Sequence, residues 1–335
     1  MRYYSLKLIN ELRRNPISGT ITIVSTIRRF RPKEYEAKSG KVVCPFCPGN
    51  EFLTPPAIVL VKRGGEYVIE RDSEERRVRN WVARVFPNKY PALTVKPPQV
   101  TEPVFEEAYG YHEVLVETPK HVPDIHLAPR EDIADALWLG FHRIHELLAD
   151  DRVQCVVMIK NRGAQAGASI IHTHSQIFAL PLTPPRIAVE VEIFRVGNKP
   201  LCRYLSDELS KERRVVFRGE HFVVIAIVAP RIPYELWVVP YKHRARPLDL
   251  SYDELVELAT ILQNITKVYT EVLKFDSYNM WLHMAPKGVD EYHWHIEVAP
   301  SLPTWGGLEK SSDVYIIDVP PEEAAEIIKK HFTLR

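Results

Sequence analysis

Hydrophobic and polar residues alternate with a period of two over several short runs of this chain, and with a period near 3.6 over two long ones. Tyr111 to His121 (Tyr-His-Glu-Val-Leu-Val-Glu-Thr-Pro-Lys-His) reads as a strand ending in Lys-His. A helix is predicted from about Arg130 to Ala149, with Ile133, Leu137, Phe141, Ile144 and Leu148 on one stripe. The strand Cys155 to Asn161 follows, then a Gly-rich turn, then a strand holding His172, His174 and Gln176 among apolar neighbours. Those three polar residues sit at i, i+2 and i+4, so an extended chain presents them on one face.

The second half repeats this order. Tyr234 to His243 is again a strand ending in Lys-His, and a helix is predicted from about Ser251, its N-cap, to Leu273. The strand Tyr278 to His283 comes next, then His293-Trp-His295-Ile-Glu-Val-Ala-Pro300. His121 and His172 are 51 positions apart, and His243 and His293 are 50 apart. Such spacing implies duplication. The expected fold is α/β (α+β): two halves, each a mainly antiparallel sheet with a long helix, forming one compact unit. The boundary is expected in the polar stretch from Val196 to Arg214, giving residues 1–195 and 196–335.

Composition narrows the function classes. The chain has 335 residues, 45% of them hydrophobic, ample for a core, and 44 basic against 43 acidic residues leave a net charge of +1. That balance argues against a nucleic-acid backbone or an anionic membrane as partner. The longest apolar run, Phe222 to Ala229, is far short of the ~20 residues of a membrane span, and Met-Arg-Tyr-Tyr-Ser is no signal peptide. A soluble, cytoplasmic protein is expected. Cys44-Pro-Phe-Cys47 lacks the βαβ frame of a redox dithiol and reads as half of a zinc site.

The chemistry-bearing residues together resemble the galactose-1-phosphate uridylyltransferase family of the histidine triad superfamily. The matching segments are Val24 to Arg31 with its arginines, Cys44 to Cys47, Phe86-Pro-Asn88-Lys-Tyr-Pro-Ala-Leu93, Thr118-Pro-Lys-His121, Asn161 to Gln176, and the set His283, His293 and His295. Each is weak alone; their order and spacing are specific. The resemblance implies two histidine-triad-like halves, of which the first is catalytic. It implies His174 as the nucleophile that holds a nucleotide as a phosphoramidate, a ping-pong transfer for which neutral imidazole is suited. Gln176 would donate to phosphoryl oxygens without titrating, which favours transfer over the hydrolysis run by relatives with a third His there. Ser169 would hydrogen-bond the departing phosphate.

By the same resemblance, Arg28 and Arg31 would face the pyrophosphate, Asn88, Asn161 and Gly167 would line the nucleotide site, and Glu309 would reach the sugar. Cys44, Cys47, His121 and His172 would hold zinc, and Glu190, His283, His293 and His295 a second metal, iron or zinc. The expected reaction moves UMP between UDP-glucose and galactose-1-phosphate, with small-molecule UDP-sugar and hexose-1-phosphate partners and a homodimeric assembly. Three departures stand out: Thr173 where the best-known members have Pro, Lys89 beside Asn88 where they often have Asp, and a poorly matched segment around Glu309. Lys89 keeps a sibling adenylyl transferase or ADP-sugar phosphorylase open. A histidine triad hydrolase and a vestigial nucleotide-binding protein are the remaining alternatives.

Overall fold

The computed structural model describes residues 9–31, 43–63, 66–100, 102, 104–302 and 304–333. Eleven strands form one antiparallel sheet. They are β1 (Ile58–Arg63), β2 (Glu66–Arg71), β3 (Trp81–Pro87), β4 (Tyr111–Val116), β5 (Cys155–Arg162), β6 (His174–Leu180), β7 (Val215–Arg218), β8 (Phe222–Ala226), β9 (Leu236–Pro240), β10 (Tyr278–His283) and β11 (His295–Pro300). Their spatial order is β7-β8-β9-β11-β10-β5-β6-β4-β3-β1-β2. Read outward from the centre, β5-β6-β4-β3-β1 in one direction matches β10-β11-β9-β8-β7 in the other. The duplication is therefore built into the sheet, and β5 pairs with β10 (Asn161 opposite Asn279) to join the halves.

Helices α1 (Arg130–Leu148) and α4 (Tyr252–Lys267) pack on one another, and their apolar stripes share a single buried cluster with strands of both halves. Ile133, Leu137, Phe141 and Ile144 of the predicted stripe are buried in it. Ser251 caps α4 through a reciprocal capping box with Glu254, and the helix passes into a π-helical turn, Val268–Val272. Two smaller clusters cover the sheet elsewhere. One holds Phe46, Val59, Trp81, Phe86 and Val114; the other packs α2 (Pro185–Val196) and α3 (Pro200–Lys211) on Val223, Ile225 and Val239. The polar stretch from Val196 to Arg214 thus folds mainly as helix α3, because Leu201 and Leu205 give it a buried face. Among the described residues, no helix is long and apolar enough to cross a membrane.

Candidate active site and metal clusters

Strand β6 starts at His174, two residues later than the alternation predicts. The Thr173 N–H bonds to the Val122 carbonyl (2.9 Å), outside the sheet, so His172 precedes the strand. His172 therefore does not share a face with His174 and Gln176. It turns to the cysteines, donating from Nε2 to the Thr118 carbonyl (2.9 Å) and presenting Nδ1 to Cys44 and Cys47 Sγ at 3.7 and 3.6 Å.

His174 is bound the other way round. Its Nδ1–H donates to the His172 carbonyl (2.8 Å), so the neutral ring keeps its lone pair on Nε2. Burial pushes its pKa down to about 4. Phe46, from the Cys44–Cys47 loop, packs edge-to-face with the ring, their centroids 5.2 Å apart. His174, Gln176, Ser169, Asn88 and Arg31 line a cleft of about 490 Å³, walled by Val43, Pro45, Phe46, Leu53, Pro55, Phe86 and Ile170. Its described lining residues include the cations Arg31 and Lys89 and no carboxylate, a fit for an anionic ligand with an apolar base.

A buried polar network backs His174. Lys160 Nζ donates to Glu117 (2.6 Å), to Thr173 Oγ1 (2.6 Å) and to the His174 carbonyl (3.3 Å), and Thr173 and Ser175 hydroxyls donate to the same carboxylate. Burial works against the Glu117 charge, but Lys160 and the two hydroxyls outweigh it and hold the carboxyl below its usual range. Thr173 is thus a member of this network, bridging Lys160 and Glu117 with a hydroxyl that proline cannot supply.

His112 orients Gln176. The Ala92 N–H donates to His112 Nδ1 (2.9 Å), so the proton lies on Nε2, which donates to Gln176 Oε1 (2.9 Å). Asn88 Nδ2 also lies 3.2 Å from Nε2, but the Ala92 donor decides the tautomer. With its oxygen occupied, Gln176 is left with its NH₂ donors to offer. Burial, with Arg28 and Arg31 nearby, pushes the His112 pKa down to about 4. No motif marks His112; only the pairing of β4 with β6, Val114 opposite Gln176, brings it there.

The remaining expected substrate residues are placed unevenly. Arg31 lies at the cleft and donates to the Gly167 carbonyl (2.9 Å). Arg28 points elsewhere, to the Tyr90 carbonyl (2.9 Å), and so braces the turn after Asn88. Asn161 accepts from Asn279 (2.8 Å) at the seam of the halves and does not line the cleft. Gly163 and Gly167 take positive φ, and a Cβ on Gly163 would come within 2.1 Å of Ser277 Oγ, so this turn needs glycine. Glu309 accepts from the Gly306 N–H (2.9 Å) at the start of its own short helix and does not line the cleft.

The donor atoms of Cys44, Cys47, His121 and His172 lie within 4.8 Å of one another. Sulfur-to-nitrogen separations of 3.2 to 3.7 Å approximate the ~3.6 Å expected around a tetrahedral zinc with its ~2.3 Å sulfur and ~2.0–2.1 Å nitrogen bonds. The carbonyl partner on His172 Nε2 leaves Nδ1 free to ligate. This donor set fits zinc.

The family model for the N-terminal domain of galactose-1-phosphate uridyl transferase matches residues 70–184, and one for a domain of unknown function (DUF4921) matches 129–335. A galactose-1-phosphate uridylyltransferase of Thermotoga maritima is 30% identical over 343 residues, spanning 96% of this chain and 98% of the relative. The chain belongs to the galactose-1-phosphate uridylyltransferase family. An ADP-glucose phosphorylase of Arabidopsis thaliana is 29% identical over 342 residues, spanning 96% and 92%. A solved uridylyltransferase structure superposes with a TM-score of 0.77 at 26% identity, covering 96% of this chain and 98% of its own.

In the second half of this family member, the expected metal set needs one correction. Glu190, His283 and His295 do come together, but with Glu297 in place of His293. The reason is register: β11 begins at His295, so the next residue on its face is Glu297, while His293 precedes the strand as His172 does. His293 instead joins Cys202 and His243. The His295 Nδ1–H donates to the His293 carbonyl (3.2 Å), and its buried Nε2 lies 3.4 Å from Glu297 Oε1. Glu190 lies 2.9 Å from His283 Nδ1. Glu297, however, already accepts from Arg186, Arg231 and Trp281. Its Oε1 nevertheless lies 3.4 Å from both His283 Nδ1 and His295 Nε2, so the set that fits an iron or zinc ion is Glu190, His283, His295 and Glu297, the last shared with the arginines.

Proposed function

We propose that this chain is a nucleotidyltransferase that moves UMP between UDP-glucose and galactose-1-phosphate through a covalent His174–UMP intermediate. The observation that carries the reading is the His174 Nδ1–H bond to the His172 carbonyl, which leaves Nε2 as the lone-pair nitrogen of a ring at the cleft, beside Gln176 and Ser169.

In the first step Nε2 forms a bond to the α-phosphorus, and the bond from that phosphorus to the bridging oxygen breaks. The electron pair leaves with glucose-1-phosphate, helped by the Ser169 hydroxyl and the Arg31 guanidinium. The ring becomes cationic, and its Nδ1–H bond to the His172 carbonyl strengthens as a charge-assisted one. The Gln176 NH₂, presented by His112, donates to the α-phosphoryl oxygens where charge builds. In the second step a phosphate oxygen of galactose-1-phosphate attacks the same phosphorus, the P–N bond breaks, and the ring returns to neutral. No proton has to move, which suits an amide at position 176. A zinc ion held by Cys44, Cys47, His121 and His172 would supply a structural tie, keeping Phe46 against the nucleophile. The same reading makes the protein a cytoplasmic homodimer, Glu309 being outside its own cleft and left to serve a partner's.

A second reading, transfer of AMP from an ADP-sugar, is favoured by Lys89 in the cleft and by the likeness to an ADP-glucose phosphorylase. Labelled glucose-1-phosphate, incubated with either nucleotide sugar and no second acceptor, separates the two. Label entering UDP-glucose faster than ADP-glucose is the expected result. Preferred entry into ADP-glucose selects the second reading, and entry into neither refutes both.

A further inference from the structure

The polar residues behind His174, namely Lys160, Glu117, Thr173 and Ser175, have counterparts in the second half, and every counterpart is apolar. Lys160 of β5 lies opposite Ser175 of β6; the equivalent pair of β10 and β11 is Leu282 opposite Ile296. Thr173, just before the strand-opening histidine, corresponds to Trp294. On the neighbouring strands Leu115 pairs with Ser175 and Val238 with Ile296, so Glu117, two residues beyond Leu115, corresponds to Pro240, two beyond Val238. Leu282, Trp294 and Ile296 are buried in the central apolar cluster, and Pro240 is buried as well. The duplicated fold therefore accepts an apolar filling at these positions. A buried ion pair costs desolvation that hydrophobic residues of similar volume do not incur, so stability gives little reason for Lys160 and Glu117.

What the polar set touches is the backbone on both sides of His174. Lys160 Nζ reaches the His174 carbonyl (3.3 Å) and, with Glu117 Oε2, holds the Thr173 hydroxyl. The other oxygen of that carboxylate accepts from the Ser175 hydroxyl (2.6 Å). The Thr173 N–H is bound to the Val122 carbonyl (2.9 Å). The peptide between His172 and Thr173 is thus anchored at Thr173 by backbone and side chain, and its carbonyl is the acceptor for the His174 Nδ1–H. Lys160 makes three bonds and both Glu117 oxygens are engaged, and a fully satisfied network of this kind is rigid. The ring-to-carbonyl bond is 2.8 Å here and 3.2 Å at His295, where the backing is apolar.

We propose that Lys160 is a positioning residue for the transfer, acting with Glu117, Thr173 and Ser175 through the backbone of His174, an inference that rests on the transfer reading above. The set fixes the His172 carbonyl to which the ring is bonded, so Nε2 stays aimed into the cleft. The acceptor dipole is then already oriented when the ring becomes cationic. Lys160 and Glu117 carry opposite charges, so what they supply is orientation rather than a net field.

The test combines Lys160→Met, Glu117→Leu, Thr173→Val and Ser175→Ala in the full-length protein, an apolar filling like that of the second half. Exchange of label between glucose-1-phosphate and the nucleotide sugar that the wild type prefers should fall ~10- to 100-fold in kcat, with KM within about 2-fold. The urea midpoint should stay at or above that of the wild type. A second readout needs no substrate. The Nδ1–H proton resonance of His174 in histidine-labelled protein, assigned by its loss in His174→Ala, should move upfield toward that of His295, as a lengthened hydrogen bond requires. Because combined core changes can impair folding, Thr173→Val and Thr173→Ser form a milder pair, Val lowering kcat ~5-fold and Ser keeping it within about 2-fold of the wild type. Wild-type kcat or an unmoved resonance in the combined variant, or equal kcat in the two Thr173 variants, overturns the proposal. Absence of exchange in the wild type would instead refute the transfer reading, and the resonance would still report whether the Lys160 set holds the ring.

Discussion

His174 and His295 occupy the same place in the two halves. Each opens a strand, and each donates its Nδ1–H to the carbonyl two residues before it, at 2.8 and 3.2 Å. What faces them differs. His174 looks onto a cleft beside Gln176, whereas His295 is covered by Trp237 stacked at 4.2 Å and faces Glu297, Glu190 and His283. Position 176 is an amide held by His112; its counterpart, Glu297, is a carboxylate clamped by Arg186 and Arg231. Burial opposes that charge too, and His295, His283 and Arg186 more than offset it, keeping Glu297 ionised. An identical backbone device therefore opens onto a cleft in one half and a closed polar core in the other, the difference lying in which side chains fill the space in front of Nε2.

The comparison breaks most sharply at the two histidines. His174→Ala is expected to reduce label exchange on the order of 10⁴-fold or more, while His295→Ala changes it by less than about 10-fold. Comparable losses from both would mean that the halves are not divided in this way. Next in size, Lys160→Met strands the Glu117 carboxylate in the core and should cost about 3–5 kcal/mol in urea unfolding. Arg186→Met should lower stability in the second half without slowing exchange by itself, because it supports no nucleophile.

His112→Leu releases the Gln176 amide and should lower kcat roughly 10- to 100-fold with little change in KM, less than the ~10²–10³ of removing a direct donor. It has a pH signature as well. The folded His112 pKa of about 4 lies below its unfolded value of ~6.5, so between those limits the unfolded chain binds a proton that the folded one does not. Stability from this group is fully present above pH ~6.5 and is lost as pH falls toward 4. The variant should therefore lose stability less steeply with acid, by up to ~1.4 kcal/mol per pH unit, as measured by denaturant unfolding at pH 7 and pH 5. Parallel slopes for the two proteins would remove His112 from the account. The smallest effect is expected from Thr173→Val, about 1–2 kcal/mol, through loss of the hydroxyl between Lys160 and Glu117.

The duplicated order was legible because hydrophobic periodicity and the spacing of His121 to His172 and His243 to His293 are local or additive along the chain. So was the cleft set of His174, Gln176, Ser169, Asn88 and Arg31, through motif order. Strand starts were less so: His-x-His reads as extended throughout, but Thr173 finds its backbone partner in Val122, which period alone does not show. That same shift removed His293 from the Glu190 set and put Glu297 there. The repeat aligned His293 with His172 and His243 with His121, yet the resemblance assigned His293 to the Glu190 set, and no motif marked the Cys202 that it meets. His112, Lys160 and Glu117 became visible only through strand register. Arg28 and Asn161 sit in matching segments and Glu309 in a poorly matched one, and their side chains are taken up by Tyr90, Asn279 and Gly306.

The central claim is a covalent nucleotide on one histidine of a symmetric pair. The direct measurement is to mix the protein with UDP-glucose alone, quench in alkali, where a phosphoramidate survives, and locate the added mass by peptide mapping. A UMP-sized addition on the peptide holding His174, and none on that holding His295, is the predicted result. An addition at His295, or turnover of donor and acceptor with no addition at either histidine, would contradict it.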